Sequence, residues 1–204
     1  MDTSLNKLLK GYQQFRKNYD QLYLMPNKIS ADQEPKIMII SCCDSRVDPA
    51  IIFECDPGDL FIVRNIASIV PPYEKDNLHH GTSAALEFGI NFLKVKHLIL
   101  LGHSNCGGIR ALMNEKFEEN DFISNWVGIV TNIACCNQDK NEASCSLEEC
   151  IKQSLNKSYE NCMTFPWIKS KQEQNLLRIH RWYFNLQTGT ISAFSNGEYS
   201  QLPE

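Results

Sequence analysis

Two kinds of apolar pattern alternate along this chain. Continuous runs of five or six residues occur at 36–41 (Lys36-Ile37-Met38-Ile39-Ile40-Ser41), 60–64 (Leu60-Phe61-Ile62-Val63-Arg64) and 96–101. Runs of that length and β-branched content predict strands buried on both faces. Between them, apolar residues return every three or four positions, as in Leu5, Leu8, Leu9, Tyr12 and Phe15 over 3–18, which predicts a helix. Gly81–Lys94 reads as a helix that is apolar nearly all round (Ala84, Ala85, Phe88, Ile90, Phe92) and therefore buried. Further helices are expected after Asp48-Pro49, over 109–115 and over 148–162, the last ended by Phe165-Pro166-Trp167. Asp56-Pro57-Gly58-Asp59 is a turn, and Ile69-Val70-Pro71-Pro72-Tyr73 cannot continue a central strand because proline donates no ladder bond. Residues 178–184 and 190–194 read as a strand pair around Thr188-Gly189. The middle, 116–145, is acidic and polar, with an apolar patch at Phe122, Ile123, Trp126, Val127 and Val130 that suggests two or three helices. Strands alternating with helices predict an α/β fold: a mostly parallel central sheet of about four strands plus a C-terminal antiparallel strand, flanked by helices. One domain over 1–204 is expected, with an N-terminal helical arm (1–32), a core (33–115) and a helical region with the last strands (116–204).

Composition narrows the setting. Apolar residues make up 43%, charged residues 22%, and the net charge is −4, ordinary for a soluble protein and too acidic for a nucleic-acid footprint. No run approaches the roughly 20 apolar residues of a membrane span. The N-terminal residues carry no apolar signal core, so the cytoplasm is the expected compartment. Nine cysteines in a chain of this length, without a secretory signal, are expected to be reduced thiols. Cys135, Cys136, Cys145, Cys150 and Cys162 are too irregularly spaced for a second metal site.

Chemistry gathers at two strand ends. The first run leads into Cys42-Cys43-Asp44-Ser45-Arg46, the third into Gly102-His103-Ser104-Asn105-Cys106-Gly107-Gly108. In parallel sheets ligands collect at the carboxyl ends of strands. Two thiolates and an imidazole form a soft set suited to zinc, and three protein ligands leave the fourth position open, as in catalytic sites. Adjacent strand residues point to opposite faces, so only one of Cys42 and Cys43 can take part. Asp44 and Arg46 place a carboxylate and a guanidinium beside it. His79 and His80 sit before a helix, as solvated residues or a proton relay. His97 and His180 read as ordinary strand or surface residues.

These residues resemble the β-class carbonic anhydrases. The matching segments are Cys42-x-Asp44-Ser45-Arg46, Arg64-Asn65-Ile66-Ala67, Gly81-Thr82-Ser83-Ala84-Ala85-Leu86-Glu87 and His103-x-x-Cys106-Gly107-Gly108. Val70-Pro71-Pro72-Tyr73 and the placement of Gln33 look like the plant-type subgroup. The resemblance implies one Zn2+ per chain on Cys42, His103 and Cys106, with Asp44 and Arg46 as a catalytic dyad and Asp44 as a conditional fourth ligand. It implies reversible hydration of carbon dioxide to bicarbonate and a proton by zinc-bound hydroxide, and sensitivity to anions and sulfonamides. Gln33, Phe61, Ile66 and Phe88 fall where the plant-type pocket faces substrate. Gly107 and Gly108 let backbone N–H groups approach the site. A homodimer, assembled to a tetramer or beyond, is implied, with N-terminal helices wrapping the neighbour and no nucleic-acid or membrane partner. Phe88 stands where plant members commonly carry tyrosine, and Phe92 where some carry histidine, so the proton relay must lie elsewhere.

Zinc can lower the pKa of a bound water from roughly 15.7 to about 7. Two thiolates donate charge and should raise that value relative to an all-imidazole site, so activity is expected to climb toward alkaline pH. A bidentate Arg46 pair would hold Asp44 off the metal. Two alternatives carry the same residues: a hydrolase of carbonyl sulfide or carbon disulfide, and a non-catalytic zinc protein. The second leaves the dyad without a purpose.

Overall fold

A computed structural model describes residues 3–23, 32–76, 78–114, 121–131 and 145–203. Its elements are α1 (Thr3–Tyr23), β1 (Ile37–Cys42), α2 (Pro49–Ile52), β2 (Leu60–Asn65), α3 (Gly81–Glu87), β3 (His97–His103), α4 (Gly107–Asn114), α5 (Phe122–Gly128), α6 (Leu147–Thr164), α7 (Pro166–Glu173), β4 (Arg178–Phe184), β5 (Ile191–Ser195) and β6 (Glu198–Gln201). One sheet runs in the order β2-β1-β3-β4-β5-β6. The first four strands are parallel, and β5 and β6 return antiparallel. The expected α/β architecture is therefore present, with one strand more than the pattern suggested. The polar run Glu198-Tyr199-Ser200-Gln201 hid β6, although Asn196-Gly197, both at positive φ, is a strong hairpin signal.

Alternate residues of the parallel strands face two cores. Met38, Ile40, Leu98 and Leu100 pack with Leu86 and Ile90, and with Leu155 of α6 and Ile168 just past Pro166. Ile39, Ile99 and Leu101 point the other way, against Phe53 and Trp182. Helix α6 begins with a full capping box between Ser146 and Glu149, which satisfies donors at its start. Phe165-Pro166 ends α6 as expected, but Pro166 also opens α7 from its first turn.

The stretch 81–94 corrects the expectation of an all-round buried helix. α3 gives way at Phe88–Phe92 to a π turn, and only Leu86, Gly89 and Ile90 are buried within it. Gly89 explains the orientation: a Cβ there would lie 2.8 Å from Met38 Sδ, so that side must press on the sheet. Phe88 and Phe92 turn outward, 43% and 69% exposed, with rings stacked at 5.7 Å. The apolar stripe of α1 forms a helix as expected but is left uncovered, with Leu8 70% exposed. In the middle segment α5 buries Val127, while 115–120 and 132–144, including Cys135 and Cys136, lie outside the described residues. Cys145 is disulfide-bonded, which corrects the all-reduced reading; Cys42, Cys43, Cys55, Cys106 and Cys162 carry free thiols.

Candidate metal centre and active site

The pleat of β1 selects the thiol. Cys42, the last residue of β1, pairs with Asn65 and faces the same way as Met38 and Ile40. It is 5% exposed, whereas Cys43 points to solvent. His103 ends β3, one strand over, and is also buried. Cys106 immediately precedes α4 and is buried too. Gly102 lets α6 lie directly on β3: a Cβ there would sit 2.9 Å from Leu155 Cδ1.

Cys42, His103 and Cys106 converge, with their ligand atoms all within 4.8 Å of one another. The two sulfurs are 3.9 Å apart. Two zinc–sulfur bonds of about 2.3 Å at a tetrahedral angle would separate sulfurs by about 3.8 Å. His103 Nδ1 lies 2.9 Å from the Ser104 carbonyl, which can only accept, so Nδ1 carries the proton. That leaves His103 Nε2 as a bare lone pair, buried and without a hydrogen-bond partner. An orphaned buried acceptor beside two thiols is costly unless a cation takes its lone pair. The Cys42 thiol is pulled down, chiefly by the Cys106 hydrogen bond and against the cost of burial. Cys106 is pushed up by the Cys42 thiolate and by burial. Without an ion between them, one sulfur keeps the proton the other gives up; a dication would favour both thiolates. The donor set therefore fits zinc.

Asp44 is held beside this trio. Arg46 grips it with Nε on Oδ1 at 2.9 Å and Nη2 on Oδ2 at 2.7 Å, and its backbone N–H adds a third bond at 3.0 Å. That grip, foremost, holds the Asp44 carboxyl well below the usual range, so it is an acceptor at any ordinary pH. Asp44 Oδ2 lies 4.0 Å from His103 Nε2, at the edge of the trio but turned toward Arg46. Arg64 anchors the turn from behind, donating to the carbonyls of Cys42 (3.0 Å) and Asp44 (2.7 Å) and to Asp48 Oδ2 (3.0 Å).

A tight loop after β2 closes the other side. Ala67 and Ser68 both sit at positive φ, 64° and 58°, conformations that non-glycine residues rarely adopt. The loop is held by Asn65, which bonds both the N–H (2.9 Å) and the carbonyl (2.8 Å) of Ile69. Ser68 Oγ donates to the Leu101 carbonyl at 2.7 Å, and Trp126 Nε1 to the Ile66 carbonyl at 2.8 Å. Gly108 fits beneath: a Cβ there would meet Ile66 Cγ2 at 2.8 Å and Ala67 Cβ at 3.0 Å. Gly107, by contrast, has open space around it, and the N–H groups that favour the Cys106 thiolate belong to Ile109 and Gly108.

The expected substrate-facing residues do not meet within one chain. Ile66 follows Asn65, opposite Cys42, and borders the trio. Phe61 pairs with Met38, four residues before Cys42 and so about 13 Å away along the strand. Phe88 packs on Phe61 at 5.9 Å, and Gln33 borders a surface groove with Phe88 and Phe92. Within one chain, strand register therefore sets Phe61 near the start of β2 and Ile66 just past its end. His80 is paired with Asp76 at 2.6 Å, and His79 and His80 line a separate cavity of about 740 Å³ with Trp126. His97 and His180 are strand residues, in β3 and β4, and His97 Nδ1 and His180 Nε2 are 3.0 Å apart. Sequence reasoning had no role for Trp126 or Asn65. Only the left-handed backbone reveals them, and no glycine or asparagine at 67 or 68 signalled it.

Known proteins agree with this architecture. The carbonic anhydrase family model matches residues 37–191. Beta carbonic anhydrase 5, chloroplastic, of Arabidopsis thaliana is 41% identical over 170 residues, covering 80% of this chain and 55% of that protein, so the chain spans about half of this relative. Beta carbonic anhydrase 3 of the same plant is 33% identical, covering 92% of this chain and 76% of that protein. The structure of the beta-carbonic anhydrase CcaA superposes with a TM-score of 0.87 at 27% identity, covering 98% of this chain and 100% of that one. A tetrameric beta-carbonic anhydrase from Sordaria macrospora gives 0.74 at 26%, covering 96% and 95%. Among the described residues no helix is long and apolar enough to cross a membrane. The chain belongs to the carbonic anhydrase family, in its beta class.

Proposed function

We propose that this chain catalyses the reversible hydration of carbon dioxide to bicarbonate and a proton, with one Zn2+ on Cys42, His103 and Cys106. The observation that carries the reading is the orphaned Nε2 of His103, facing two sulfurs 3.9 Å apart, with Asp44 held beside it rather than in the fourth position. Bound there, zinc would supply hydroxide near neutral pH by lowering the pKa of a water. Asp44, kept ionised, accepts the nucleophile's hydrogen bond and so orients its lone pair. Arg46 keeps Asp44 turned away from the trio. Ile66 gives an apolar wall to a linear, uncharged substrate. Stopped-flow hydration of carbon dioxide across pH, on protein of measured zinc content, tests this reading. Turnover that rises toward alkaline pH is expected, and fully zinc-loaded protein without hydration activity refutes it.

A homodimer, assembled further as in the tetrameric relatives, belongs to the same reading. Gln33, Phe61 and Phe88 lie too far from their own trio to line it, and Phe88 and Phe92 face outward; a second copy would bring such residues to the open mouth. The uncovered stripe of α1 supports an arm laid on a neighbour. Sulfonamide inhibition, in line with the acetazolamide complex of the Coccomyxa protein, and cytoplasmic placement complete the proposal.

A further inference from the structure

The loop that carries His103 and Cys106 is fastened to β4 one residue past His103. Strands β3 and β4 stay in parallel register down to His103 and Phe184, where both end. Ser104 extends that pairing with two different atoms. Its backbone N–H donates to the Phe184 carbonyl at 2.9 Å, and its hydroxyl oxygen accepts from the Leu186 N–H at 2.9 Å. Leu186 is itself held in the turn between β4 and β5. There the Asn185 N–H donates to the Thr190 carbonyl (2.9 Å), the Gly189 N–H to the Asn185 carbonyl (2.8 Å), and the Gln187 N–H to Asn185 Oδ1 (2.9 Å). The next residue, Asn105, turns the chain in the left-handed region, at φ 55°, which asparagine tolerates. With its nitrogen and its side chain both tied to β4, Ser104 has little freedom left about Cα, and the direction of its carbonyl is set. That carbonyl accepts from His103 Nδ1 at 2.9 Å.

This last bond decides which way the imidazole faces. Turning the ring over about Cβ–Cγ exchanges Nδ1 with Cδ2 and Nε2 with Cε1. A turned ring would offer the two sulfurs' side a carbon without a lone pair. His103 Nε2 has no hydrogen-bond partner, so among the described residues the Ser104 carbonyl is what holds the ring in its present sense. The bond made by one ring nitrogen sets how the other meets a metal. We infer that Ser104 is a positioning residue for the metal centre: its hydroxyl, held by the Leu186 N–H, fixes the carbonyl that receives His103 Nδ1–H and so keeps Nε2 toward Cys42 and Cys106. The inference rests on the reading that Cys42, His103 and Cys106 hold a metal ion. Losing a partner that orients a metal ligand typically changes affinity by about 10- to 100-fold. Here the carbonyl would remain and only its fastening would go, so the lower end of that range applies.

The test compares full-length, zinc-loaded wild type with Ser104→Ala, which removes the hydroxyl, and Ser104→Thr, which keeps it. Nitrogen-15 labelling of histidine lets NMR follow the Nδ1–H of His103. In the wild type, Nδ1 should carry the proton, Nε2 should be the metal-bound nitrogen, and the Nδ1 proton should exchange slowly with water. Ser104→Ala should shift that proton resonance upfield and speed its exchange. Zinc should pass to a chelator roughly tenfold faster in the same variant. Ser104→Thr should restore both readouts. A serine that merely stabilised the fold would lower the denaturation midpoint and move neither. Unchanged Nδ1–H and release rate in Ser104→Ala overturn the inference and leave the metal reading intact, as does a Ser104→Thr variant that behaves like Ser104→Ala. Should Ser104→Ala fail to fold, the wild type still decides: a ring bound through Nδ1, or an Nδ1 proton exchanging as fast as that of an exposed imidazole, overturns the inference. Failure of the wild type to take up zinc overturns the metal reading and this inference together. No readout depends on which substrate the enzyme turns over.

Discussion

The two ends of the parallel sheet are built to different degrees of completion within one chain. At the carboxyl ends of β1 and β3, three ligands, an ion-paired carboxylate, an arginine behind the turn and a hydrogen-bonded loop meet in a buried volume. At the amino ends, Phe61 and the π turn present stacked aromatic rings to solvent beside Gln33. The first end is closed by residues of its own chain. The second exposes more apolar surface than an isolated chain has reason to keep, and such patches mark interaction sites. The difference teaches that the two ends are built by different means: Cys42, His103 and Cys106 converge within one chain, whereas Phe88 and Phe92 are left exposed by the described residues.

The largest expected effect breaks the finished end outright. Cys106→Ser should lower zinc affinity by more than about 100-fold and abolish turnover, read by elemental analysis and hydration kinetics. Arg46→Ala should keep zinc yet lower kcat/KM by about 100-fold, because Asp44 is no longer held; loss of zinc in this variant would show that Arg46 supports the ligands instead. Gly108→Ala should cost about 1–3 kcal/mol in chemical denaturation, since its Cβ would overlap Ile66 and Ala67. The paired substitution Phe88→Ala and Phe92→Ala probes the other end. It should leave zinc content unchanged while shifting the sedimentation profile toward smaller species and lowering turnover with them. An unchanged profile with full activity would show that the open end has no partner to find. The smallest effect is Cys43→Ser, expected within about 0.5 kcal/mol of wild type and with full zinc, because that thiol faces solvent.

The finished end was legible in the sequence because its chemistry is local. Cys42, Asp44 and Arg46 lie within five residues, and His103 and Cys106 within four, so motif spacing alone brings each group together. The buried strands were legible for the same reason, each being one uninterrupted apolar run. What escaped depends on contacts between distant segments. Trp126 reads as an apolar helix residue, and nothing in its neighbours announces a bond to the carbonyl of Ile66. The strained Ala67 and Ser68 carry no glycine or asparagine signature. The helix 81–94 was misread because composition says how apolar a segment is, not which side the π turn rotates outward. The register that separates Phe61 from Cys42 within one chain becomes visible only once β1 and β2 are paired.

Gly102 gives α6 an importance that its own residues do not advertise. With no side chain at that position, α6 rests on β3 one residue before His103 and, through Ser158 and Asn161, also holds both backbone groups of Val70 just beyond the loop. A single helix thus spans the ligand strand and the loop that shields the sulfurs, while contributing no chemistry. Loosening α6 would disturb β3 and the segment beyond that loop together, which ties their local stability to that of the helix. Opening at either place would then be one event seen from two sides.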